Sequence, residues 1–69
     1  MTKLRMQFLK DFDQFIKNLG DERILEIWLV GGVPDGADAW DYIEIAEDEE
    51  LWLGCVQCFS ECCQMAGLI

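Results

Sequence analysis

Four cysteines fall within nine residues, spaced Cys55-x-x-Cys58-x-x-x-Cys62-Cys63. Four thiolates could close a tetrahedral shell around zinc or hold an iron–sulfur cluster. Helical geometry opposes that reading. At ~1.5 Å rise per residue, Cys55 and Cys62 stand about 10 Å apart along a helix axis. Ligands of one metal must converge far more closely, because zinc–sulfur bonds are only ~2.3 Å long. Gly54 alone is available to unwind the segment around a metal. A redox Cys-x-x-Cys pair belongs at a helix N-terminus after a strand, where the dipole lowers the thiol pKa, and this pair is expected inside a helix. Cys55, Cys58, Cys62 and Cys63 are therefore expected to pack as small hydrophobes on an inner helix face. No cofactor is expected.

Carboxylates are the other chemistry-bearing group. Asp35, Asp38, Asp41, Glu44 and Glu47 recur every third residue. A calcium loop instead needs ligands at alternate positions, a glycine sixth and a bidentate glutamate twelfth. Catalysis has few tools here: the chain has no histidine, one serine (Ser60) and one threonine (Thr2), so no nucleophile–base pair of the usual kind can form. Paired carboxylates alone would suit a glycosidase, but 69 residues cannot also wall a substrate cleft. Gly31-Gly32 lacks the Lys-Ser/Thr that completes a phosphate loop. The protein is not expected to be an enzyme.

Charge is more informative than motif. Fourteen acidic and five basic side chains leave a net charge of −9. All five cations, Lys3, Arg5, Lys10, Lys17 and Arg23, precede residue 24, where four carboxylates nearly balance them. The rest of the chain has ten carboxylates and no cation. Such a field repels nucleic acid and anionic membrane and attracts basic protein surfaces. Trp40 and Tyr42 are interleaved with these acids, as aromatic anchors are in interfaces where charge steers the encounter. The candidate partner-binding set is Asp38, Trp40, Asp41, Tyr42, Glu44, Glu47, Glu49 and Glu50. The competing reading is an acidic face that serves solubility alone.

The elements that must position these residues follow from periodicity. Leu4, Phe8, Phe12, Phe15, Ile16 and Leu19 predict a helix over Thr2–Leu19, with Leu9 at the edge of its apolar stripe, Asp13 solvated and Gly20 ending it. The β-branched and aromatic run Ile24–Val30 predicts a strand over 23–30. Gly31 to Asp38 reads as a loop, and Ala39–Ala46 as a second strand. Asp48-Glu49-Glu50 opens a helix running to Ala66, closed by Gly67. Leu51-Trp52-Leu53 could alternatively be a third strand. The expected fold is α+β: one domain over 1–69, a helix, an antiparallel hairpin of two or three strands, then a helix. A hairpin edge or the apolar surplus would allow a homodimer. No apolar run approaches the ~20 residues that span a bilayer. With no export signal, the thiols are expected to stay reduced in a cytoplasm.

In size, acid balance and element order the chain resembles the small acidic inhibitors of phages and mobile elements, notably anti-CRISPR proteins. It is similar, less closely, to bacterial immunity and antitoxin proteins that block nucleases. The resemblance implies that Asp35 to Glu50 imitates nucleic-acid phosphates and occludes the channel of a CRISPR effector or nuclease. The four-cysteine helix departs from that group, and could instead mark a dimer interface.

Overall fold

The computed structural model describes residues 1–68 and contains four helices, with no strand among the described residues. They are α1 (Thr2–Leu19), α2 (Glu22–Val30), α3 (Ala39–Glu47) and α4 (Glu49–Met65). The α+β hairpin expectation is thus overturned, since both expected strands are helices. Their starts explain why. The Asp21 side chain accepts from the amides of Arg23 and Ile24, capping α2. Asp38 accepts from the amides of Trp40 and Asp41 while the Asp41 carboxylate accepts from the Asp38 amide, a reciprocal capping box that nucleates α3. Burial follows the helical period. Tyr42, Ile45 and Ala46 are buried together, whereas strand alternation would send Tyr42 and Ile45 to opposite faces.

Asp48 caps α4 through the amides of Glu50 and Leu51 and also ends α3, so a single residue separates the two helices. Leu51-Trp52-Leu53 is helical, which removes the third-strand alternative. At the far end of α4 the Gly67 amide reaches the Gln64 carbonyl and the Leu68 amide that of Cys63. This closure needs a left-handed residue, and Gly67 supplies it at φ 77°.

Helix α1 packs on α2 and α3, and α4 packs on the same two. Between them α1 and α4 meet only through side chains, and aromatic rings fill that seam. Phe12 sits edge-on to Trp28 and Phe59, with centroids 5.0 and 4.7 Å apart. Phe8 does the same with Phe59 and Trp52 at 4.9 and 5.6 Å. Trp28, Leu9, Ile16, Val33, Cys55 and Cys62 are fully enclosed.

Among the described residues, one charged side chain lies in this core. Asp13, expected to be solvated, is only 5% exposed. It accepts from Trp28 Nε1–H at 3.0 Å and from the Tyr42 hydroxyl at 3.1 Å, and Lys17 Nζ lies 3.0 Å from it. Three helices converge on one carboxylate, which leaves it fully partnered. The buried face of α1 therefore centres on Leu9, Phe12, Asp13 and Ile16. Leu4, Phe15 and Leu19 are turned outward.

Candidate functional site

The inward residues of α3 decide what its outer face presents. With Tyr42, Ile45 and Ala46 turned to the core, Trp40, Glu44 and Glu47 project on the opposite side, since at 3.6 residues per turn they fall within about 60° of one another. They make a ridge about 10 Å long by helical rise. Trp40 is 78% exposed, which is costly for so large a ring unless a partner covers it. Glu44 and Glu47 are exposed along the same face, and Glu50, in the first turn of α4, is exposed as well.

The remaining candidate residues are engaged elsewhere. Asp38 and Asp41 are exposed or half-exposed but tied into the α3 cap. Glu49 holds Arg5 in a two-pronged ion pair at 3.1 and 3.4 Å. That guanidinium also donates to the Ala46 carbonyl and lies 4.8 Å from the Trp52 ring centroid, clamping α1 onto the α3–α4 corner. Tyr42 is 9% exposed and turned inward to Asp13, so it serves the core and not the ridge. Burial and the facing Asp13 carboxylate push its pKa from 10.0 up to about 12.

Beside the ridge is a recess of about 350 Å³ between the α2–α3 loop and the α3–α4 corner. Leu29, Pro34, Ile45 and Leu51 form its apolar wall, and Asp41 and Glu44 stand at its edge. An apolar wall below two carboxylates suits the aliphatic stem and charged head of a lysine or arginine. The sequence reading missed this recess because strand alternation sends Asp41 and Glu44 to opposite faces, whereas on helix α3 both reach it. A second groove, of about 420 Å³, runs between α1 and α4 and is lined by Met1, Leu4, Arg5, Phe8, Trp52, Val56 and Phe59.

The cysteines lie along the α2–α4 seam. Cys55 Sγ–H donates to the Gly31 carbonyl at 3.2 Å, and Cys62 Sγ–H to the Ile24 carbonyl at 3.6 Å. Cys63 is buried, and Cys58 is half-buried against Gly31. Among the described residues no three His, Cys, Asp or Glu side chains are grouped to hold a metal ion. Burial raises the pKa of Cys55 and of Cys62 from 9.0 to about 11, and that of Cys58 also moves up. Thiols held protonated are poor nucleophiles and poor metal ligands. Their arrangement is that of packing groups.

None of the described helices is long and apolar enough to cross a membrane. Comparison with protein families, with curated proteins and with solved structures finds no match to this chain.

Proposed function

We propose that the protein is a non-catalytic inhibitor that binds a basic, nucleic-acid-processing protein, a CRISPR effector or a nuclease, through the α3 ridge. The observation that carries this reading is Trp40, exposed at the head of a line of carboxylates with no cation in its half of the chain. Glu44, Glu47 and Glu50 steer the encounter and stand where phosphates would lie in the partner's groove. Trp40 supplies the apolar anchor, and the recess at Asp41 and Glu44 receives a lysine or arginine of the partner. The reading sets the protein in a reducing cytoplasm, where its thiols stay free.

The test is retention of a partner from lysate of the source cell, followed by affinity measurement over a range of salt and with nucleic acid as competitor. Binding is expected to weaken steeply as salt rises and to be displaced by nucleic acid. Trp40→Ala is expected to cost about 30-fold in affinity, the effect of a typical aromatic hot spot. Glu44→Lys with Glu47→Lys should abolish binding. All three side chains are exposed, so the variants should keep the wild-type helical signal. A complex indifferent to salt and to these changes would refute the reading.

A further inference from the structure

We infer, on the reading of α3 as the contact surface, that Lys3 and Lys10 receive an acidic segment of the same partner protein on the other flank of that helix. Three of the five cations are spent inside the chain: Arg5 pairs with Glu49, Lys17 with Asp13 and Arg23 with Asp21. Lys3 and Lys10 have no carboxylate within ion-pair distance among the described residues, and both are exposed. They line one recess of about 370 Å³ between α1 and α3, together with Met6, Gln7, Ala39 and Tyr42. No acidic side chain lines it. Lys3, Gln7 and Lys10 fall within about 60° of one another at 3.6 residues per turn, and the two lysines stand about 10 Å apart along the axis. Met6 and Ala39 give the space between them an apolar floor.

Position on α3 joins this recess to the ridge. Ala39 and Asp41 flank Trp40, each about 100° round the helix in opposite directions. Asp41 edges the acidic recess, and Ala39 edges the lysine recess. A groove that seats Trp40 and grips a helix about 10 Å across meets both flanks. Charge then decides what meets each one. The flank at Asp41 and Glu44 takes a cation, and the flank at Lys3 and Lys10 takes carboxylates with an apolar side chain between them. The net charge of −9 governs approach from a distance. At a screening length of about 8 Å, a seated carboxylate answers mainly to the two ammonium groups beside it. Opposite charges on the two flanks also fix which way round the partner lies, because turning α3 end for end would set like charges together.

Two measurements on the full chain test it. In the complex, Lys3→Glu with Lys10→Glu should weaken binding by about tenfold. If the ridge acts alone, the same change only makes the chain more acidic, and affinity for a basic partner that stays level or rises overturns the inference. Both side chains are exposed, so the variant should keep the wild-type helical signal. The second measurement needs no partner. It is an NMR titration of the free chain with the blocked peptide Glu-Leu-Ala-Glu, whose end carboxylates lie about 10 Å apart when the peptide is extended at ~3.3 Å per residue. Saturable shifts of the Met6 and Ala39 methyls are expected. They should vanish in Lys3→Ala with Lys10→Ala, and should not occur with Lys-Leu-Ala-Lys. Silence toward the acidic peptide, equal shifts with the basic one, or a response to a single-stranded oligonucleotide but not to the peptide overturns the inference. Glu44→Lys with Glu47→Lys should leave this titration intact, so failure of the ridge and failure of the lysine recess are read separately.

Discussion

Two of the seams between the helices are held by opposite means. Around Asp13, α1 joins α2 and α3 through directional bonds from Trp28, Tyr42 and Lys17 to one buried carboxylate. Along the other seam, α2 meets α4 through thiols and a glycine, with Cys58 against Gly31 and two Sγ–H groups on carbonyl oxygens. The first seam is sensitive to a lost partner, because removing the acceptor strands buried donors. The second is sensitive to added volume, because little space separates its backbones. Substitution should therefore harm the two seams in opposite ways.

The largest effect should come from Asp13. Asp13→Ala removes the acceptor from the Trp28 indole and the Tyr42 hydroxyl and leaves Lys17 without its partner. Stranding two buried neutral donors costs about 1–3 kcal/mol each, so about 2–6 kcal/mol together. A domain of this length has a total stability of about 3–10 kcal/mol, so much of the variant should be unfolded at room temperature. Asp13→Asn keeps an acceptor oxygen and the side-chain shape, and should lose distinctly less. Urea denaturation followed by circular dichroism measures both. An Asp13→Ala variant within about 1 kcal/mol of wild type would remove the distinction between the seams.

The polar seam was also the least legible part of the sequence. Asp13 falls among residues that read as solvated, and only the tertiary positions of Trp28 and Tyr42 draw it inward. Helices α1 and α4 were legible because each repeats its apolar period over several turns. The runs Ile24–Val30 and Ala39–Ala46 are short enough to fit either period, and β-branched content tipped them toward strand. The overlooked signals were Asp21 before the first run and Asp38-x-x-Asp41 at the second, both helix starts. The same error blurred the candidate site. As strand residues Trp40 and Tyr42 share a face, whereas on a helix they part, one outward at 78% exposure and the other buried. Composition revealed the carboxylates. It could not show that Asp38, Asp41 and Asp48 cap helices, or that Glu49 is spent on Arg5.

Alkaline titration probes both seams with one variable. The pKa of Tyr42 is about 12 in the fold against 10.0 as the ordinary value, so the folded state holds this proton more tightly. Its contribution is complete below about pH 10 and is lost as pH rises toward 12, worth about 2–3 kcal/mol for two units. Cys55 and Cys62 shift the same way, from 9.0 to about 11, so their seam should weaken first, between about pH 9 and 11. Urea midpoints from pH 8 to 11.5 should decline in wild type. Tyr42→Phe should flatten the upper part of that decline and leave the lower part. Stability independent of pH over this range would contradict the burial of all three groups.

The smallest effect, and the sharpest on the thiol seam, is Gly31→Ala. A methyl there would lie 2.7 Å from Cys58 Cβ and 2.9 Å from its Sγ. Gly31 has an ordinary right-handed backbone, φ −67°, so the cost is one of space and not of conformation. Over-packing of this kind costs about 1–3 kcal/mol, and because the closest contact is Cβ, fixed to the α4 backbone, relief comes from a small separation of α2 and α4. Cys58→Ala removes the sulfur but keeps Cβ, so adding it to Gly31→Ala should recover part of the loss. Cys58→Gly removes both atoms and should relieve the clash fully, less the helix-propensity cost of about 1 kcal/mol that the single Cys58→Gly variant measures. A double-mutant cycle therefore reads steric coupling that grows from Ala to Gly at position 58. Purely additive effects would mean that α2 and α4 are not held at the separation Gly31 permits. The thiols would then be no more than neighbours of the seam.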